Sequence, residues 1–247
     1  MPVLMYHEVS PRPQPAFRRY TVTVREFAWQ MRWLTTFGYQ TIDMDALVRA
    51  RQGQGSLPTR PIVITFDDGF RECVDHAVPV LRKHGFTAVF YLVAGLMGDT
   101  SHWLRPELGI ELPLISWDTA RTLVRDGFQC GAHTLSHPRL AGLEGTKRRA
   151  ELVGARNRLE GELGRAVVHL AYPYGSFDHD VRNAAAEAGY VTACSTLPGL
   201  SGADDDLLAL HRVTVYGHDS LIDFASRLRS GKALRERLGE AFGGTRP

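Results

Sequence analysis

Residues 62–70 read IVITFDDGF, an apolar and mostly β-branched run that stops at two adjacent aspartates and a glycine. A nearly unbroken apolar run of this length is typical of a parallel strand that is buried on both faces. The carboxylates of Asp67 and Asp68 therefore come directly after a buried strand. Two like charges this close repel each other, so one of them is expected to hold a proton or a cation.

Strand-like and helix-like stretches alternate on both sides of this run. We predict strands over 2–6, 39–42, 61–66, 86–93, 128–133, 167–172, 190–194 and 211–215, and helices over 24–37, 44–51, 71–84, 117–126, 144–163, 178–188 and 219–229. Such alternation indicates an α/β fold with a parallel sheet. At 247 residues we expect a (β/α) barrel of seven or eight strands, distorted or incomplete. A doubly wound open sheet is the alternative, but no GxGxxG follows any predicted strand.

Composition indicates one ordinary globular domain. The chain shows no linker, low-complexity tract or fixed-period repeat, so we predict a single domain over 1–247 with a peripheral tail from about 231. A balance of 29 basic and 27 acidic residues gives no reason to expect a nucleic acid or an anionic membrane as partner. Nothing in the sequence indicates the oligomeric state.

The sequence contains no recognisable targeting signal and no cysteine motif. No apolar run approaches the roughly 18 residues of a membrane span, and MPVLMYHEV lacks the basic start of a signal peptide. We therefore expect the chain as given to stay in the cytoplasm, whereas a chain trimmed of its leader would be exported. Cys73, Cys130 and Cys194 form no CxxC pair, which favours buried free thiols.

Polar side chains follow three of the predicted strands, at the end where a parallel barrel carries its active site. Asp67 and Asp68 follow the first, HTLSH (133–137) the second and YPYG (172–175) the third. Two histidines four residues apart can face one ion, and a catalytic zinc site keeps three protein ligands and one open position. One aspartate of the pair could be the third ligand, while the other stays free as a general base.

The motifs TFDDG (65–69), HTLSH and YPYG, in this order, resemble those of the polysaccharide deacetylases, the NodB-like domain of carbohydrate esterase family 4. The resemblance covers roughly residues 1–230. It implies hydrolysis of an N-acetyl group on a carbohydrate, with release of acetate, and one divalent metal ion, most simply Zn²⁺. It also implies that Asp67 is the catalytic base and that Asp68, His133 and His137 are the metal ligands.

The same resemblance assigns further residues to the reaction. The backbone N–H of Tyr174 would help to hold the oxyanion. Apart from the resemblance, we predict that Pro173 and Trp117 contact the substrate, and that Trp117 or Trp103 stacks on a sugar ring, since apolar ring faces suit aromatic side chains. An arginine that steadies the catalytic aspartate in many family members is replaced here by Ala171. Asp67 is therefore expected to have a different partner, or none.

The general acid is less clearly marked, because no Leu-x-His motif ends the chain. His211 opens its predicted strand, which is the wrong end of a parallel barrel. His7 closes the strand VLMY, and its early position resembles the circularly permuted deacetylases that act on poly-N-acetylglucosamine. We therefore predict His7 as the general acid.

Two alternative functions stay open at this point. The first is deacylation of a lipid-linked or nucleotide-linked sugar precursor, which a cytoplasmic enzyme would meet. The second is a catalytically silent carbohydrate-binding domain.

Overall fold

Apolar runs that must be buried on both faces give the chain its central element, a parallel sheet. The computed structural model describes residues 1–234 and 236, so most of the predicted peripheral tail, residues 235 and 237–247, lies outside the described residues. Within the described residues the strands are β1 (Val3–Tyr6), β2 (Glu8–Ser10), β3 (Thr21–Thr23), β4 (Gln40–Thr41), β5 (Pro61–Phe66), β6 (Val89–Leu92), β7 (Gln129–Ala132), β8 (His169–Ala171), β9 (Thr192–Pro198) and β10 (Leu210–Thr214). The α-helices are α1 (Val24–Thr36), α2 (Met44–Arg51), α3 (Arg71–Lys83), α4 (Arg105–Leu108), α5 (Trp117–Arg125), α6 (Gly145–Leu163), α7 (His179–Glu187) and α8 (Leu221–Ser230).

Seven of these strands close into a parallel barrel. Their order is β1-β10-β9-β8-β7-β6-β5, and β5 pairs back with β1 through Val3↔Val63 to Tyr6↔Phe66. The short strand β4 lies beside the start of β5 as an extra strand. The predicted (β/α) barrel is thus confirmed, and the open doubly wound sheet is excluded because the sheet closes on itself.

Capping residues set the starts of several helices where the sequence predicts them. Asp43 accepts a hydrogen bond from the N–H of Ala46 at the start of α2, and Ser116 does the same for Thr119 at the start of α5. Such side chains satisfy backbone donors that have no partner inside the helix. None of the helices in the described part of the chain combines the length and apolarity that crossing a bilayer requires.

The segment 8–23, for which we predict no strand, does contain strands. It contains β2 and β3, which pair in parallel as a small second sheet, joined by a 3₁₀ turn at Pro15–Tyr20. Strands of three residues carry too little periodicity to be recognised. The segment matters because it carries the chain from β1 along the mouth of the barrel, where Phe17 and Tyr20 line the cavity described next.

Candidate active site

The carboxyl ends of the barrel strands surround a cavity of about 520 Å³. Most of the side chains that the sequence singles out line it, namely His7, Asp67, Asp68, Trp103, His133, His137 and Tyr174. They come from the ends of β1, β5 and β7, from the turn after β8 and from the long loop before α5. The barrel therefore brings residues more than 160 positions apart to one site, as parallel strand ends should.

Asp68, His133 and His137 form a compact buried group. Asp68 Oδ1 lies 3.3 Å from His133 Nε2 and 3.2 Å from His137 Nε2. One ligand atom from each of the three lies within 4.8 Å of the others, and no second group of this kind occurs in residues 1–234 and 236. These distances are longer than the roughly 2.7–2.9 Å of a charge-assisted hydrogen bond. The three atoms are close enough together to ligate one ion.

The hydrogen bonds around this group fit a cation. His133 Nδ1 lies 2.7 Å from the carbonyl oxygen of Ala171, so it donates its N–H there and leaves the Nε2 lone pair directed at Asp68. Such an outer bond commonly fixes the tautomer of a metal-binding histidine. Two imidazole nitrogens and one carboxylate oxygen are the donor set of a catalytic zinc site with an open position. The residues present therefore fit a Zn²⁺ ion.

Backbone strain is concentrated in the same three motifs. Four non-glycine residues in the described part have φ in the left-handed region: Asp68 (75°), Thr134 (66°), His137 (63°) and Tyr174 (58°). Such conformations cost of order 1–3 kcal/mol each and persist only where the surroundings hold them. Three of the four residues line the cavity. The strained backbone conformations therefore occur where side chains of the three motifs are directed into the cavity.

Asp67 has a partner that the sequence analysis did not identify. Arg212, fully buried on β10, donates from Nη1 to Oδ1 and from Nη2 to Oδ2 of Asp67, both at 2.7 Å. The same guanidinium donates to Thr65 Oγ1 and to the carbonyl of Ser195. Burial alone would raise the pKa of Asp67, but the adjacent guanidinium outweighs it and holds the pKa below the ordinary range.

This ion pair gives Asp67 the different partner that Ala171 led us to expect. The charge that faces the first aspartate comes from a different strand, two places around the barrel from β8. The signal for it was a lone arginine inside the apolar strand LHRVT, since a fully buried arginine almost always has a partner. His211, its neighbour, points instead to Asp205 at 3.2 Å and is absent from the cavity lining.

His7 lies in the cavity, directly after β1. Its Nδ1 is buried with no hydrogen-bond partner among the described residues, and its ring packs against Tyr20 at a centroid distance of 5.0 Å. Burial lowers the pKa of His7, although Asp68 and Asp67 act to raise it. A buried imidazole with a free ring nitrogen beside two carboxylates is able to move a proton within the cavity.

Of the residues predicted to contact the substrate, one lines the cavity and two do not. Trp103 lines the cavity and stacks on His137, with ring centroids 4.3 Å apart. Trp117 does not line it, and its ring lies under the guanidinium of Arg158 on α6. Pro173 is buried in the turn that carries Tyr174, so its effect on the cavity is through the backbone.

A larger groove of about 730 Å³ lies elsewhere, lined by residues of α1 and α8 such as Trp33, Phe37 and Ile222. It contains none of the aspartates or histidines of the three motifs. The aspartates and histidines of the three motifs therefore meet in the smaller cavity.

A family model described as polysaccharide deacetylase matches residues 54–193, which is more than half of the chain. The chain belongs to the polysaccharide deacetylase family. The resemblance seen in TFDDG, HTLSH and YPYG is thereby confirmed. The match ends before β10, so Arg212 lies outside the matched region.

Relatives of this family member include proteins known by sequence and by structure. YxkH of Bacillus subtilis (strain 168), which is named for the same family, is 26% identical over 215 residues, or 87% of this chain and 71% of its own. The poly-β-1,6-N-acetyl-D-glucosamine N-deacetylase of Staphylococcus epidermidis is 30% identical over 84 residues, or 34% of this chain and 29% of the relative. The structure of Streptococcus pyogenes deacetylase PplD in complex with acetate matches with a TM-score of 0.80 at 21% identity, over 92% of this chain and 97% of that one, which shows the fold.

Proposed function

We propose that this chain is a metal-dependent hydrolase that removes acetyl groups from the amino sugars of an N-acetylated carbohydrate. The observation that carries the proposal is that the Asp67–Arg212 ion pair and the group of Asp68, His133 and His137 lie next to each other at one cavity. Asp67, which is held by Arg212, is adjacent to Asp68. Asp68 Oδ1 in turn lies 3.2–3.3 Å from the Nε2 atoms of His133 and His137. This is the arrangement that hydrolysis of an amide needs, namely a base beside a site for an electrophilic cation.

Charge supports a cation at the second site. With both histidines neutral, Asp67, Asp68 and Arg212 leave one net negative charge in a buried cluster. A buried charge without a partner is strongly unfavourable. We propose that Asp68, His133 and His137 hold one divalent ion, most simply Zn²⁺. When bound, such an ion supplies Lewis acidity to the acetyl carbonyl and makes water easier to deprotonate.

The side chains around this site have distinct tasks. Asp67 takes the proton of the attacking water, and Arg212 keeps that carboxylate ionised and fixed in orientation before it does so. The backbone N–H of Tyr174, held in a left-handed turn, donates to the oxyanion that develops on the acetyl oxygen. His7 delivers a proton to the departing nitrogen. Burial lowers the pKa of His7, which makes its imidazolium a stronger acid but a smaller fraction of the protein, while the charges of Asp68 and Asp67 favour the protonated form that the role requires.

The substrate class is an N-acetylated sugar within an oligomer or polymer. The Staphylococcus epidermidis relative is named for a β-1,6-linked N-acetylglucosamine polymer, and the family for polysaccharides. Trp103 offers an apolar face at the cavity, which suits the face of a sugar ring.

The decisive experiment compares acetate release by the zinc-loaded and chelator-treated protein. Substrates are β-1,6- and β-1,4-linked N-acetylglucosamine oligomers and, separately, a nucleotide-linked N-acetylglucosamine. We expect release from an oligomer that zinc supports and the chelator abolishes. Release from the nucleotide sugar alone would favour a precursor deacylase instead. Binding of oligomers without release would indicate a silent carbohydrate-binding domain.

The role of His7 has its own test. His7→Gln should lower acetate release from an amide by roughly 10²–10⁴-fold, the range typical of a lost general acid. An activated aryl acetate, whose leaving group needs no proton, should lose far less. Equal losses on both substrates would contradict the assignment of His7 as the acid.

A further inference from the structure

The HTLSH loop has one internal hydrogen bond, from the N–H of His137 to Thr134 Oγ1 at 3.0 Å, and its remaining contacts come from outside the loop. It must turn back within five residues so that His133 and His137 both face Asp68. Thr134 and His137 reach that shape only with left-handed backbones. Strained conformations of non-glycine residues relax unless neighbouring structure holds them.

A carboxylate on helix α6 makes the contacts that hold the loop. Glu151 Oε2 accepts the backbone N–H of Leu135 at 2.8 Å and that of Ser136 at 3.0 Å. Its Oε1 accepts the hydroxyl of Ser136 at 2.6 Å. Three donors from two consecutive loop residues therefore converge on one charged group, and hydrogen bonds to a charged acceptor are the stronger kind.

Packing fixes the same loop from two sides. Gly154 lies one helical turn after Glu151, and a Cβ there would come within 2.5 Å of Leu135 Cδ1. On the other side, Gly95 donates its N–H to the carbonyl of Leu135 at 2.8 Å, and a Cβ there would come within 2.4 Å of that oxygen. The loop is therefore confined between α6 and the turn after β6, with Glu151 as the charged contact.

We propose that Glu151 is a positioning residue, which holds Leu135 and Ser136 so that His137 stays directed at the metal site. The inference rests on the proposed function, because it assumes that His137 is a metal ligand. Glu151 does not line the cavity, and it acts through the backbone of Leu135 and Ser136. It has no contact with a reacting atom.

Zinc affinity tests the proposal without any substrate. In competition with a chromophoric chelator, Glu151→Ala should bind zinc roughly 10- to 100-fold more weakly than wild type, as is typical when an outer partner of a metal ligand is lost. Glu151→Gln should recover most of the affinity. Its amide oxygen can still accept both N–H groups, and its NH₂ can donate to the Ser136 hydroxyl.

A matched control lies on the same helix. Glu160 also accepts a backbone N–H, that of Val167 at 3.0 Å, and pairs with Arg156 Nε at 3.0 Å, but it does not touch the loop. Glu160→Ala should therefore leave zinc affinity within a few-fold of wild type, even if it lowers the melting temperature.

Amide hydrogen exchange on the metal-free protein provides a second measurement. The N–H groups of Leu135 and Ser136 should exchange faster in Glu151→Ala than in wild type or Glu160→Ala. Wild-type zinc affinity and unchanged exchange in Glu151→Ala would overturn this inference alone. A wild-type protein that binds no zinc would overturn the metal site and this inference together.

Discussion

The two adjacent aspartates have the same side chain but opposite surroundings. Each carboxylate oxygen of Asp67 accepts a hydrogen bond from Arg212 at 2.7 Å. Asp68 Oδ1 lies 3.2–3.3 Å from the Nε2 atoms of His133 and His137. One carboxylate thus has a permanent counter-charge from the chain, and the other belongs to a group of donor atoms that fits a cation.

This difference shows how a protein can keep two neighbouring carboxylates ionised in one cavity. For both aspartates burial alone would raise the pKa. Arg212 brings the pKa of Asp67 below the ordinary range, and without a cation N–H donation from His133 and His137 does the same for Asp68. Each obtains its compensation on its own side, so the two roles, base and ligand, can be separated by mutation.

The largest effect is expected from Asp68→Asn. Asparagine tolerates the left-handed backbone of this position (φ 75°), so the turn should survive while the anionic ligand is lost. We expect bound zinc to fall from about one ion per chain to none, and acetate release to fall to background. Metal analysis of the purified variant, with circular dichroism as a check on folding, measures this. A variant that works without metal would refute the site.

The same substitution one residue earlier should act differently. Asp67→Asn should keep its zinc but lose roughly 10²–10⁴-fold in turnover, because the proton acceptor is gone. Metal content and acetate release, measured on the two variants side by side, give the comparison directly. Near-normal turnover in Asp67→Asn would show that another group is the base.

Arg212→Met should affect the Asp67 side alone. It leaves a buried carboxylate without its partner, which costs about 3–5 kcal/mol of stability. Without the guanidinium, burial raises the pKa of Asp67, so the acid limb of the pH–rate profile should move to higher pH. Turnover at its optimum should fall by roughly 10- to 100-fold through loss of orientation, with zinc retained.

A double-mutant cycle separates the pair from its surroundings. Asp67→Asn with Arg212→Met should be less destabilising than the sum of the two single changes, because neither partner is then left charged and alone. Strict additivity in urea unfolding would mean that the pair is not energetically coupled.

The smallest effect is expected from Thr65→Val. The hydroxyl accepts from Arg212 Nη1 at 3.0 Å and donates to the carbonyl of Leu4 at 2.8 Å. Its loss should cost about 1 kcal/mol, with metal content unchanged and turnover close to wild type. A loss of turnover as large as that of Arg212→Met would mean that the orientation of the guanidinium depends on this one bond.

Much of the fold was accessible from sequence because buried parallel strands leave a continuous signal. The run IVITF and its counterparts predicted the barrel, and their polar ends predicted which residues meet. Boundaries such as the end of β9, which runs to Pro198, and the paired strands β2 and β3 were missed. Short pairs of this kind depend on tertiary contacts that local pattern does not encode.

The partners of the site residues were harder to predict than the site residues themselves. HTLSH and TFDDG are local motifs, whereas Arg212 and Glu151 reach them from 145 and 15–16 positions away. Which strand lies opposite Asp67 depends on barrel order, and which face of α6 meets the loop depends on how that helix packs. The spacing of residues along the sequence determines neither the barrel order nor the packing of α6. The sequence therefore did not identify Arg212, although its neighbour His211 was considered.

The closure of the barrel also orders its assembly. Strand β1 is the seam, paired on one side with β5 and on the other with β10. During synthesis, the first strand must wait until residues 210–214 have left the ribosome before the ring can close. Until then Asp67 lacks its guanidinium partner, so the wall of the cavity is complete only after β10 has paired with β1.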